Sequence, residues 1–146
     1  MYNEENDNEN YTEDQDFVDI YSKRAIFWFS LIFSPIFGGV MLALNLKWAN
    51  YRRAALQVLM FSIAYYFLEG FIMTWLGFKP SMDVKNSLIV MGCMLALNLV
   101  GALIQTLYFF KKYFPEDDYY PRSLTQPFII VAILIVINLL FMLQRG

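Results

Sequence analysis

The chain has 146 residues, 58% of them hydrophobic and 18% aromatic, with a formal net charge of −2. Roughly sixty residues lie outside its apolar stretches, divided among a tail and three loops, so no separate soluble domain fits. Histidine is absent and the single cysteine, Cys93, lies inside an apolar stretch. That excludes disulfide frameworks, zinc sites built on His or several Cys, and His-dependent acid–base catalysis.

Residues 1–22 are rich in acids and Asn, and eight of the thirteen acidic residues fall within the first nineteen positions. Such a segment buries too little apolar surface to offset the entropy of ordering, so a disordered acidic tail is expected. It is not a cleavable signal peptide, because its leading region is acidic where a basic one is needed. Asn10-Tyr11-Thr12 matches the glycosylation triplet, and in an Asn-rich tail this reads as coincidence.

The transmembrane domain is expected over 23–146, with apolar helices at about 25–46, 54–78, 88–110 and 124–143. Each is about long enough to cross a hydrocarbon core of about 30 Å at about 1.5 Å per residue. The first contains Ser34-Pro35 and Gly38-Gly39. Pro35 removes a backbone donor and Gly38 and Gly39 loosen the next turn, so a kink near the midpoint is expected. A basic turn, Lys47 to Arg53, leads to the second helix and is too short for anything but an antiparallel hairpin.

Glu69 is the one ionisable residue deep inside an apolar segment. A charge at such a depth costs about 2.5–3.5 kcal/mol on insertion scales, so the group should be protonated, paired or facing a wet cavity. Ser62, Tyr65 and Tyr66 lie seven, four and three residues before it, which puts hydroxyl partners on its own helix face. On the third helix Asn98, Gly101, Ala102 and Gln105 form one polar and small-residue stripe that should face the bundle interior and glue helices together. Together Glu69, Ser62, Tyr65, Tyr66, Asn98 and Gln105 are the candidate intramembrane polar site, read either as packing or as a proton or cation site. Cys93 reads as a small buried hydrophobe, and the eight methionines as packing, since no soft-ligand cluster accompanies them. No metal or cofactor is expected.

The loop Lys111 to Thr125 mixes basic, acidic and aromatic residues, as suits an interfacial connector. Up, down, up, down is the simplest topology, with both termini on one side. It places Trp48, Tyr51, Tyr108 and Tyr113 at one interface and Trp28 and Trp75 at the other. Lys23, Arg24, Lys79, Lys85 and Arg145 would then mark one side, and Lys47, Arg52, Arg53, Lys111, Lys112 and Arg122 the other. One extra charge favours a cytoplasmic second side and an external N-terminus. Gly39–Leu46 and Gly92–Leu99 agree at all but one position, which raises a duplicated hairpin. The copies would lie at different depths, which argues against it.

The run from Phe33-Ser34-Pro35-Ile36-Phe37-Gly38-Gly39 to Asn45-Leu46-Lys47 resembles the first-helix signature of a loose group of small bacterial four-helix membrane proteins of unknown function. Ser123 and Pro127-Phe128-Ile129-Ile130 are similar to the opening of their last helix. The resemblance implies four spans and a bacterial inner membrane, and carries no activity. The expected fold is therefore an all-α bundle of two transmembrane hairpins. The expected role is a non-catalytic accessory, assembly or scaffold component, with lipid, a membrane partner or its own copies as neighbours and no nucleic acid. The alternative is a transporter or channel subunit using Glu69, similar in size to small proton-coupled multidrug exporters. Those carry their essential Glu in the first helix, which here has no acid.

Overall fold

The computed structural model describes residues 19–78, 83–115 and 119–145. They form α1 (Lys23–Ile32), α2 (Pro35–Trp48), α3 (Arg52–Trp75), α4 (Val84–Leu103), a π-helical segment (Ile104–Phe110), α5 (Lys111–Tyr113) and α6 (Thr125–Arg145). Two short strands, β1 (Asp19–Ile20) and β2 (Tyr120–Pro121), pair in parallel. Three helices are long and apolar enough to cross a membrane: Arg52–Trp75, the continuous Val84–Tyr113, and Thr125–Gln144. The chain reads as a multi-pass membrane protein.

The expected first span over 25–46 is not one helix but two, and the chain reverses between them. Asn45 Oδ1 accepts from the Tyr21 N–H at 2.8 Å, and Asn45 Nδ2 donates to the Tyr21 carbonyl at 2.8 Å. A continuous helix would hold those residues about 36 Å apart. Near the reversal, Phe29 stacks on Phe37 at 5.4 Å. Ten residues of α1 and fourteen of α2 rise about 15 Å and about 21 Å, so each alone is shorter than a hydrocarbon core of about 30 Å.

Local chemistry explains why a kink becomes a reversal. Ser34 stands in extended backbone and its Oγ accepts from the Phe37 N–H at 3.4 Å, with Pro35 in the first turn of α2. This is a helix start: a Ser cap, then a proline whose missing donor costs nothing there. Pro35 also disfavours helical geometry at the residue before it, which ends α1. Gly38 and Gly39 do not loosen α2. They lie against α1, α3 and the π-helical segment, where side chains would collide.

Consequently β1, the α2–α3 turn and the α5–α6 loop all lie on one side, called here the near side. Asn50 makes the α2–α3 turn with φ 64°, a left-handed conformation Asn tolerates. Trp48 packs on Tyr21, Tyr51 packs on Tyr113, and the Arg122 guanidinium lies 4.1 Å over the Trp48 ring. The expected belt of Trp48, Tyr51, Tyr108 and Tyr113 is thus gathered there, with Lys112 over both Tyr108 and Tyr113. Trp28, however, belongs to the half-depth α1 and not to the face of Trp75.

The expected tail boundary at 22 also moves. Residues 1–18 lie outside the described residues, but Ile20 and Tyr21 are buried, the Arg122 N–H donates to the Ile20 carbonyl at 2.8 Å, and Ser22 caps α1 by accepting from Ala25. The core is built from this near-side segment, α1, α2, the first third of α3, the π-helical segment and Val131 of α6. Among the described residues no buried position falls within 63–100 or 132–144. Among the described residues α6 begins at the near side, where Gln126 meets Tyr21, and passes Phe29 at Phe128.

Candidate functional site

Two polar arrangements occupy different depths. At the hairpin tip, Gln105 is fully buried and uses both ends of its amide. Its Oε1 accepts from Ser30 Oγ at 2.6 Å, and its Nε2 donates to Ser62 Oγ at 3.1 Å and to the Pro35 carbonyl. Ser62 Oγ donates in turn to the Val58 carbonyl at 2.8 Å. One amide thereby ties α1, α2 and α3 to the π-helical segment.

The reason lies in the break itself. A reversal inside the membrane exposes backbone groups that lipid cannot satisfy, each costing several kcal/mol. Asn98 Nδ2 donates to the Leu31 carbonyl at the end of α1 at 3.2 Å, and Gln105 reaches Pro35 at the start of α2. Close approach is needed for this, and glycine provides it. A Cβ on Gly38 would stand 1.6 Å from Ser30 Oγ, one on Gly39 1.9 Å from Ser62 Oγ, and one on Gly101 2.6 Å from Pro35 Cγ. The π-helical turns carry Gln105, Thr106 and Phe110 as buried residues, and Thr106 Oγ1 donates to the Ala102 carbonyl at 2.7 Å.

The structure therefore brings together the Asn98, Gly101, Ala102, Gln105 stripe, Ser62 and the Pro35, Gly38, Gly39 group. Ser30 joins them without having been singled out, and Asn45, likewise not singled out as a site residue, is bonded at the near side to the Tyr21 backbone. Ser30 carried a signal: it and Ser34 are the two hydroxyls in the apolar run 25–46. Tyr65 takes a related role, its OH donating to the Leu97 carbonyl at 2.8 Å and pinning α3 to α4.

Glu69 and Tyr66 belong elsewhere. They line a groove of about 870 Å³ between α3 and α4, on the far side of the hairpin tip, together with Met73, Met91, Met94 and Asn98. The hydroxyl stripe expected to serve Glu69 is committed elsewhere, with Ser62 on Gln105 and Tyr65 on Leu97. Glu69 Oε1 is shielded from solvent yet has no hydrogen-bond partner. Met73, Met91 and Met94, expected as packing, form groove wall, and Met91 and Met94 stand exposed. Cys93 is a half-buried free thiol.

The repeated octapeptides fall in unlike surroundings. Asn45 is fully buried against the near-side backbone, whereas Asn98 is half-buried in the middle of a long span. Gly39 is in close packing and Gly92 faces open space. Comparison with family models, with curated proteins and with solved structures found no match.

Proposed function

We infer that this chain is a small non-catalytic accessory, assembly or scaffold component of a membrane, in keeping with the small bacterial membrane proteins it resembles. One observation carries the reading: the far halves of its three spans are apolar and lie open on nearly every side. Phe71, Trp75, Met142 and Leu143 are each about 70–80% exposed. Side chains of this kind in a membrane face lipid or another protein, and a surface this extensive suits helix-on-helix docking. Photo-crosslinking from positions 71, 139 and 143 in native membranes tests it. A discrete cross-linked protein supports the reading, and lipid adducts alone at all three positions contradict it.

The hairpin keeps the loops at 47–53 and 111–125 on the cytoplasmic side that the four-span count favoured, and moves the start of α1 to that same side. By chain position, Lys23, Arg24, Lys47, Arg52, Arg53, Lys111, Lys112 and Arg122 flank the near side, eight of the eleven basic residues, against Lys79, Lys85 and Arg145 on the far side. A cytoplasmic near side follows from that bias. Asp19, where the described residues begin, is then inside and the end of α6 outside.

Glu69 supports a second reading, a transporter or channel subunit, because the residue lines a groove and its screened Oε1 has no hydrogen-bond partner. Glu69→Gln separates the two. A stable, inserted Gln variant that still complements a deletion phenotype eliminates the transport reading, while loss of complementation favours it.

A further inference from the structure

We propose that the groove between α3 and α4 is a binding site for a single amphiphilic molecule with an apolar body and one ammonium head, the head resting on Glu69. The proposal stands apart from the accessory reading and does not require it. Volume, lining and charge each constrain the occupant. At about 870 Å³ the groove falls within the range of about 300–1,000 Å³ typical of small-molecule sites.

Its walls are flexible and aromatic. Met73, Met91 and Met94 present unbranched thioether chains that adapt to varied apolar shapes, and Tyr66 adds a ring face suited to a cation. Thr74, Ser87 and Asn98 also line the groove, and the one carboxyl group among its lining residues is Glu69, whose Oε1 is screened from solvent and accepts no hydrogen bond. A carboxylate so placed is costly unless an opposite charge joins it, and among the described residues no salt bridge to it is formed. An ammonium supplies that charge with up to three donors.

Geometry places the head within reach of water. Glu69 lies six residues before Trp75, the last residue of α3, or about 9 Å inside the far end. An amphiphile entering sideways from the bilayer would seat its head on Glu69 and lay its apolar body along Met73 and Met91, which line the groove between Glu69 and the far end. Gly70, on the same face, has open space beyond its Cβ position, so the groove floor is shaped by an absent side chain and can be filled by adding one.

The shared chemistry, a primary ammonium on an apolar chain, has two sources, a free lipophilic amine or an amine-headed lipid. The test uses the full chain in phosphatidylcholine nanodiscs with radiolabelled dodecylamine, measured against dodecanol. Saturable binding of one amine per chain, at least about tenfold weaker in Glu69→Gln and at least about tenfold weaker for dodecanol, is expected. Gly70→Leu should remove binding by filling the groove, without lowering the melting temperature. Displacement of the amine when phosphatidylethanolamine replaces half the phosphatidylcholine identifies the lipid as the natural source, and no displacement identifies a free amine. Equal binding by wild type and Glu69→Gln, equal binding of dodecanol, or no saturable amine binding overturns the proposal.

Discussion

The near and far halves of this protein are made from similarly apolar sequence and yet are organised by opposite rules. In the near half, four helical segments and a strand pair enclose a core in which Gln105, Asn45, Ser30 and Ser62 are buried and hydrogen-bonded. In the far half, α3, α4 and α6 continue without the hairpin between them, and a carboxyl oxygen stands unpartnered. The difference follows from length. The hairpin reaches about halfway, so it supplies a fourth and fifth packing surface to one half of the bundle and nothing to the other. Internal packing therefore holds the near half together, and surrounding lipid or protein must solvate the far half.

The contrast is sharpest for glycine. Gly38→Leu drives a side chain into Ser30 and Gln105 and should cost about 3 kcal/mol or abolish folding, as overpacking of a rigid core does. Gly101→Leu, against Pro35 and Tyr65, should be nearly as severe. Gly92→Leu, which meets nothing, should stay within about 0.5 kcal/mol of wild type. Thermal melting in mild detergent measures all three, and equal losses at positions 38 and 92 would break the comparison.

Next in size is the polar clamp. Gln105→Leu leaves Ser30 Oγ and the Pro35 carbonyl without their partner, while Ser62 Oγ keeps its bond to the Val58 carbonyl, for about 1–3 kcal/mol. Asn138→Leu in the far half disturbs only a 3.5 Å contact with the Leu134 carbonyl of its own helix, and its melting should be unchanged. Asn45→Ala frees the Tyr21 backbone and should cost about 1–3 kcal/mol, with faster hydrogen exchange at the Tyr21 amide as the specific readout. The smallest effect belongs to Glu69→Gln. No hydrogen bond at Oε1 is lost, so stability should move by less than about 0.5 kcal/mol while ligand binding changes. A large loss of stability there would mean that Glu69 is a structural element of the core.

Much of this was legible in the residues. The spans over 54–78, 88–110 and 124–143 appear within a few positions of their expected limits, because long apolar runs allow few other structures in lipid. The Asn98 to Gln105 stripe was readable from helical spacing alone. The first span was misread because a run of 22 apolar residues fits two structures, one crossing helix or two half-length ones, and length cannot choose between them. Ser34-Pro35 did carry the distinction, as a cap and first-turn pair that begins a helix. Seeing that it ends one as well requires knowing that Gln105 and Asn98, some 70 residues away, satisfy the open backbone. The solitude of Glu69 was illegible for a similar reason: its neighbours in sequence, Ser62 and Tyr65, are claimed by partners on α4 and the π-helical segment. The charge count misled in consequence, since moving Lys23 and Arg24 across the membrane turns near balance into a strong bias.

The central claim is that the chain from Lys23 to Trp48 enters the membrane and returns to the same side. Single cysteines at positions 19, 50 and 85, with Cys93 replaced by Ala, give the direct measurement when an impermeant maleimide is applied to intact cells and then to inverted vesicles. A returning hairpin predicts that 19 and 50 label together, from the cytoplasmic face, and that 85 labels from the opposite one. Labelling of 19 and 50 from opposite faces would show a fourth crossing and contradict the account.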